Sequence, residues 1–149
     1  MMETHYARIG LIVIASFAAI SAIGGGMGVM LTNGLGMPLG WLRFTPFASY
    51  LLPGLILTVV VGGSALAAAI LLVMHHAWGN IVALGAGAIM TGWIIAEVFL
   101  IRQVAWLQLV YFIVGLAMME LASVYDLYTR RQLHSLLHYS PKQREKRSA

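Results

Sequence analysis

Long apolar stretches separated by short polar or glycine-rich connections make up most of the chain. The stretches cover about residues 7–30, 50–74, 81–101 and 104–124. Each supplies the roughly 20 helical residues that cross the hydrocarbon core of a bilayer. Helices satisfy their own backbone polar groups there, and lipid solvates their apolar faces. The pattern predicts an all-α polytopic membrane protein, in which residues 1–124 form an antiparallel bundle of four transmembrane helices.

The third and fourth stretches are separated only by Arg102 and Gln103. A single helix over 81–124 would be about 66 Å long at 1.5 Å per residue, which is about twice the thickness of a bilayer core. We therefore expect a tight helical hairpin at these two residues.

The first stretch could also be a secretory signal peptide, because small residues near Ala22 and Gly24 could form a cleavage site. However, its apolar run is longer than that of a typical signal sequence, and its N-terminal region carries only one arginine, Arg8, opposed by Glu3. We interpret it as the first membrane helix.

Basic residues are concentrated after the last apolar stretch. The net charge is +4, and most of the lysines and arginines follow residue 124. Arg8 lies on the same predicted side of the membrane, whereas Arg43 and Arg102 lie on the other. The positive-inside tendency predicts a multi-pass protein of the bacterial cytoplasmic membrane with both termini in the cytoplasm. Residues 125–149 are then a basic juxtamembrane helix, ended by Pro141, and a tail that contacts anionic lipid rather than nucleic acid.

The composition excludes several kinds of chemistry. Only 9% of the residues are charged, 60% are hydrophobic, and there is no cysteine. A disulfide, a thiol nucleophile and a thiolate metal or iron–sulfur site are therefore excluded. No serine or threonine has a histidine and a carboxylate in a spacing that indicates a catalytic group, so no catalytic residue is predicted.

The connection between the first two stretches is the only long one, and it combines backbone-restricting residues with aromatic residues. We expect it on the outer face of the membrane, as a lid or a docking surface. Its motif residues are Pro38, Trp41, Pro46, Phe47, Tyr50, Pro53 and Gly54.

Two acidic residues lie within predicted membrane helices, where ionisable groups are costly and are candidates for function. Glu97 lies about one turn below the outer end of the third helix, and Gln108 lies at matching depth on the fourth. This predicts a polar cluster that binds a ligand or an ion; alternatively, Glu97 fixes the hairpin by pairing with Gln108 or Arg102. The other predicted members of the cluster are Arg43, Arg102 and Gln103.

The remaining candidates lie near the inner side. Glu120 is an inner-side candidate that could pair with Arg8 or with a histidine of the 75–80 connection, or extend to the interface. His134 and His138 are spaced i, i+4 and are weak candidate metal ligands. Two imidazoles leave a zinc site incomplete. No metal site and no cofactor are predicted.

Small residues indicate where helices pack closely. The third helix carries Ala88, Gly92 and Ala96 at four-residue spacing, and we expect these to face neighbouring helices of the same chain. The same expectation holds for small residues of the first two helices: Ala15, Ala18, Ala19, Ala22, Gly63, Ser64, Ala67 and Ala68.

Three segments carry a resemblance to known proteins: Gly36-Met-Pro-Leu-Gly-Trp-Leu42, Thr45-Pro-Phe47 with Tyr50 and Leu52-Pro-Gly-Leu55, and Trp93-Ile-Ile-Ala-Glu97 with Leu107-Gln108. In order and spacing they resemble a family of small bacterial four-helix membrane proteins without an assigned activity. Members of that family often carry an acidic residue close before the loop aromatic, and Phe47-Ala48-Ser49-Tyr50 has none. The resemblance therefore implies the architecture and no site residue.

Together these observations favour a non-enzymatic accessory, assembly or oligomeric membrane subunit, whose partners are membrane lipid, further copies of the chain or a larger membrane complex. The alternative is a small ion or solute transporter or channel that uses Glu97. A third hypothesis is a membrane enzyme acting on a lipid or a quinone at the outer cluster.

Overall fold

The computed structural model describes residues 2–102 and 104–147, and the side chains of 5–102 and 104–129. The described residues contain five α-helices and no strand. The α-helices are α1 (Met2–Leu31), α2 (Leu51–Ile56), α3 (Gly63–Val73), α4 (Gly79–Ile101) and α5 (Trp106–Arg147). A short 3-10 helix, η1 (Leu39–Phe44), lies between α1 and α2, and a π-helical segment (Leu57–Gly62) joins α2 to α3.

Four spans are long and apolar enough to cross a membrane: His5–Leu31, Leu51–Val73, Gly79–Ile101 and Trp106–Thr129. The predicted all-helical fold, with four helices long and apolar enough to span a membrane, is confirmed. Large hydrophobic side chains are exposed along every span, as in Phe17, Ile70 and Phe99. Such exposure is expected where lipid is the solvent.

The buried core consists mainly of alanine, which lets helices approach closely where lipid supplies no hydrophobic force between them. It combines residues of all four spans, and none of them is more than 6% exposed: Leu11, Ala15, Ala18, Ala19, Ala22, Val61, Ala65, Ala68, Ala69, Leu72, Ala83, Ala86, Met90, Met118 and Ala122. The prediction that the small residues of the first helix face its neighbours is therefore correct.

The predicted packing stripe on the third membrane helix is wrong. Ala88, Gly92 and Ala96 are exposed, and a Cβ added at Gly92 would meet no atom within 4 Å. The helix instead packs through a neighbouring stripe that includes Ala83 and Gly87. Both faces of this helix are apolar and rich in small residues, so spacing does not distinguish the face toward protein from the face toward lipid. On the second span Ala67 is likewise exposed, whereas Ala68 is buried.

Glycines allow two close helix crossings. A Cβ at Gly26 of α1 would lie 2.2 Å from Thr58 Oγ1 and 2.7 Å from Gly54 O. A Cβ at Gly87 of α4 would lie 2.8 Å from the carbonyl oxygen of Gly115 in α5. All three distances are shorter than real Cβ contacts, so only glycine permits these close approaches.

The α5 helix continues further than the sequence predicts. It runs without a break past residue 124 and through Pro141 to Arg147, although proline removes one helical N–H and crowds the preceding turn. The predicted end at Pro141 is therefore wrong, and no structural break marks the predicted boundary at residue 124.

Arg8 connects the start of α1 to the end of α3. Its guanidinium donates to Leu72 O at 3.1 Å and to Val73 O at 3.5 Å, and lies 2.9 Å from His75 Nδ1. The last carbonyls of a helix have no partner within the helix. Arg8 supplies donors for two of them beside His75, whose φ is +56°.

Candidate functional site

The connection between α1 and α2 is a folded cap rather than an open loop. Thr32 Oγ1 accepts a hydrogen bond from Leu35 N–H at 2.7 Å, and Asn33 Oδ1 accepts one from Tyr50 N–H at 3.2 Å. The hydrogen bond between Asn33 and Tyr50 joins the two ends of the connection. Residues 33–36 all have positive φ, which lets the chain turn sharply at the end of α1.

Tyr50 is the centre of this cap. Its side chain is 1% exposed, and its hydroxyl donates to Pro38 O at 2.9 Å. The ring lies against Gly34, where an added Cβ would come within 2.6 Å of Tyr50 Cδ2 and where φ is +118°. Burial of the phenol is the main cause that raises the pKa of Tyr50, and the negative charge of the Glu97 carboxylate raises it further. The phenol therefore stays a neutral donor at physiological pH.

Gln108 joins the first turn of α5 to Glu97. Its Oε1 accepts from Ala105 N–H at 2.9 Å, and its Nε2 donates to Glu97 Oε2 at 3.2 Å. Ala105 immediately precedes α5, so the first contact is the reach of an N3 glutamine back to the helix cap. Because this cap occupies the amide oxygen, the amide NH₂ group faces the carboxyl group of Glu97.

Glu97 and Gln108 line a cavity of about 320 Å³ between the four spans and the cap. This volume is at the low end of the roughly 300–1,000 Å³ typical of small-molecule sites. Apart from these two residues the wall is mostly apolar and aromatic: Ser21, Ala22, Val29, Leu35, Met37, Trp41, Leu57, Val61, Met90, Trp93, Ile94, Ile101, Ala105, Leu107 and Tyr111. We call this space the outer cavity.

A π-helical segment lies beside the outer cavity. The N–H of Gly63 donates to Thr58 O, five residues back, in place of the usual bond four residues back. Leu57 and Val61 of this segment face the cavity. Single π-turns in α-helices are frequent at functional sites, so this irregularity marks the same part of the fold as the polar pair.

The arginines predicted for the cluster lie elsewhere. The Arg102 guanidinium stacks over the Phe44 ring, 5.1 Å from its centroid, and Arg43 is exposed. Within the described part of the chain, no arginine lies within ion-pair distance of Glu97. Gln103 lies outside the described residues. The described part of the predicted cluster thus reduces to Glu97 and Gln108.

The cap motif residues do not all line the same space. A second space of about 30 Å³, enough for a single water, is lined by Glu97 together with Phe47, Tyr50, Pro53 and Gly54. Trp41 instead lines the outer cavity. Pro38 contributes its carbonyl to Tyr50, and Pro46 is exposed.

The predicted inner candidates are not brought together. Glu120 is exposed on α5 and has no hydrogen bond or ion pair within the described residues, and Arg8 is engaged by α3 instead. The side chains of His134 and His138 lie outside the described residues. In the described part of the chain, no group of three His, Cys, Asp or Glu residues could hold a metal ion.

Several wall residues have no counterpart in the sequence prediction. Trp93 lies one turn before Glu97, and Tyr111 follows Gln108 by three residues, so i, i+3 and i, i+4 spacing places each aromatic ring on the face of its polar neighbour. That spacing was the available signal.

Comparison of the chain with protein-family models, with curated proteins and with solved structures finds no match.

Proposed function

We propose that the protein is a non-enzymatic integral membrane protein that binds an amphiphilic molecule from the lipid in the outer cavity. In this proposal it acts by association, as an accessory or assembly subunit, and carries out no chemistry on its ligand. The observation that carries the proposal is the outer cavity, which contains one carboxyl–amide pair and is otherwise mostly apolar.

The exposed members of the cavity wall support entry from the membrane. Leu35 at the cap is 58% exposed, Leu107 in the first turn of α5 is 47% exposed, and Ala105 beside it is also exposed. We take these residues as the mouth of the cavity. An amphiphile entering there would place its polar group near Glu97 and Gln108 and its apolar part along the wall.

The proposal includes the orientation of the protein. We propose that it lies in the bacterial cytoplasmic membrane as an antiparallel bundle, with the cap outside and both termini in the cytoplasm. The excess of lysine and arginine after residue 124 supports this orientation, and the resemblance of the cap motif to bacterial four-helix proteins supports the setting. Because the chain lacks cysteine, an impermeant thiol reagent on intact spheroplasts should label an Ala48→Cys variant and leave an Ala77→Cys variant unlabelled.

The transport alternative receives less support. A path from Glu97 across the membrane needs polar groups as stepping stones, whereas the described buried core contains apolar side chains and no polar or charged one. Proton-coupled or ion flux into proteoliposomes that an E97Q variant abolishes would support transport over the proposed binding role.

A matched pair of serine substitutions tests the binding proposal. Ser21 lines the outer cavity, and Ser123 is exposed on α5; each hydroxyl donates to the carbonyl four residues back, at 2.7 and 2.8 Å. In native mass spectra of protein purified from membranes, we expect an associated amphiphile in the wild type and in Ser123→Phe. We expect its loss in Ser21→Phe, because the phenyl ring occupies the cavity. Equal retention in both variants would contradict the proposal.

A further inference from the structure

We propose that the outer cavity selects organic cations, namely amphiphiles with an ammonium-type polar group, through the Glu97 carboxylate and the aromatic side chains Trp41, Trp93 and Tyr111. This inference rests on the proposed function and names its ligand class.

The first step is the charge of the cavity. Among the described residues that line the outer cavity, Glu97 is the only Asp, Glu, Lys, Arg or His, and the hydrogen-bond partner of its carboxyl group there, Gln108, is a neutral amide. A carboxylate in an apolar environment is costly unless a positive charge or further donors compensate it. A cationic ligand supplies that charge, whereas an anionic ligand would add a second negative charge to the same space.

The second step is the aromatic wall. Trp93 on α4, Tyr111 on α5 and Trp41 in the cap contribute to the cavity from three different elements. Cations are attracted to the faces of aromatic rings, and this attraction is strongest for tryptophan. Cages of aromatic side chains recognise quaternary ammonium groups in this way. A cavity that combines a carboxylate with aromatic side chains from three elements is therefore suited to a large, weakly hydrated cation.

The third step is the position of the protein's own cations. Arg102 is held over Phe44 outside the cavity wall, and Arg43 is exposed. Neither neutralises Glu97 by an ion pair in the described part of the chain. The carboxyl group is instead held by Gln108, whose amide is fixed by the cap of α5. Gln108 thus holds the Glu97 carboxyl group, and no cationic side chain of the described residues pairs with it.

Three probes with one alkyl chain and different polar groups test the selectivity. Decyltrimethylammonium carries the positive charge, its neutral analogue has carbon in place of the nitrogen, and decyl sulfate is anionic. Binding is measured by equilibrium dialysis with radiolabelled probes and purified protein in a non-ionic detergent. For the wild type we expect the cation to bind at least about tenfold more tightly than the neutral analogue, and decyl sulfate to bind most weakly.

Variants identify the residues responsible. E97Q removes the charge while leaving an oxygen that accepts the Gln108 hydrogen bond, so we expect its affinity for the cation to fall about tenfold and its affinity for the neutral analogue to stay the same. Trp93→Leu should lower the affinity for the cation about threefold or more. E120Q, at the exposed carboxyl group of α5, is the matched control and should change the affinity for neither probe. Thermal unfolding checks that each variant is folded.

The outcomes separate this inference from the function on which it rests. If the cation and its neutral analogue bind equally and Ser21→Phe abolishes both, the cavity binds amphiphiles without selecting cations, and the inference is wrong. If decyl sulfate binds most tightly and Arg102→Gln weakens it, the ligand is an anion and the inference is also wrong. If no probe binds to the wild type, both proposals fail.

Discussion

Gln108 holds the carboxyl group of Glu97 at 3.2 Å with an amide whose other end is already occupied by Ala105 N–H. The same side chain therefore begins α5 and orients the polar group of the outer cavity. Local helix capping and the chemistry of the site are joined in one residue.

Removing the Gln108 amide should destabilise the protein, whereas changing Glu97 conservatively should not. A Gln108→Met variant keeps the side-chain length but loses the cap and the donor to Glu97. We expect its free energy of unfolding, measured by detergent-denaturant titration, to fall by about 1–2 kcal/mol. E97Q retains an acceptor for Gln108 and should unfold within about 0.5 kcal/mol of the wild type. Equal losses in the two variants would contradict this relationship.

The crossing of α1 and α2 should tolerate no side chain at Gly26. A Cβ there would meet Thr58 Oγ1 at 2.2 Å and the backbone nitrogen of Thr58 at 2.9 Å. We expect Gly26→Ala to lower the free energy of unfolding by about 1–3 kcal/mol through overpacking. Its neighbour Gly25 has no atom within 4 Å of an added Cβ. Gly25→Ala is thus the control and should be neutral or stabilising, since alanine favours helix over glycine. If Gly25→Ala were instead the more destabilising variant, the close contact of α1 would not lie at Gly26.

Arg8 should stabilise the connection after α3. An Arg8→Met variant loses the bonds to Leu72 O and Val73 O. Because these bonds are partly exposed, we expect a loss of about 1 kcal/mol together with faster hydrogen exchange of the backbone amides in 74–79. Arg43→Met removes an exposed arginine at the cap and should leave the exchange of 74–79 unchanged. Unaltered exchange in Arg8→Met would show that the connection does not depend on this contact.

Tyr50 should make the protein sensitive to alkali. Its pKa is raised in the folded state, so above about pH 10 the unfolded chain loses the proton first. The contribution of Tyr50 to stability is fully present below that pH and is lost as the pH rises through the folded-state pKa. At neutral pH we expect the free energy of unfolding of the wild type to exceed that of Tyr50→Phe by about 1 kcal/mol, because only the wild type makes the hydrogen bond to Pro38 O. The difference should shrink above pH 10. A difference that is constant or grows with pH would contradict this assignment.

The membrane spans and the depth of the polar pair follow from the sequence because both depend on distance along a helix. Twenty apolar residues define a span wherever it packs, and Glu97 and Gln108 lie at similar distances from the break at Arg102. Their meeting requires only that the two helices be neighbours. For the same reason Trp93 is on the face of Glu97, a relationship that i, i+4 spacing contains.

The cavity and the choice of packing face do not follow from the sequence. In lipid, the faces of α4 toward protein and toward lipid are both apolar, so Gly92 and Gly87 are equivalent candidates until the backbones are placed. The cation–π contact of Arg102 depends on η1 bringing Phe44 over the turn, and nothing local to either residue predicts it. The cavity likewise results from how the four spans and the cap enclose space.

Photo-cross-linking tests directly where on the protein the amphiphile binds. A decyltrimethylammonium derivative with a diazirine on its alkyl chain is equilibrated with the protein in non-ionic detergent, irradiated, and its adducts are mapped by tandem mass spectrometry. We expect adducts on wall residues such as Met90, Trp93 and Tyr111, saturable with unlabelled probe and reduced in Ser21→Phe but not in Ser123→Phe. Adducts spread over exposed residues such as Phe99 and Ile113, with no change in Ser21→Phe, would contradict binding in the outer cavity.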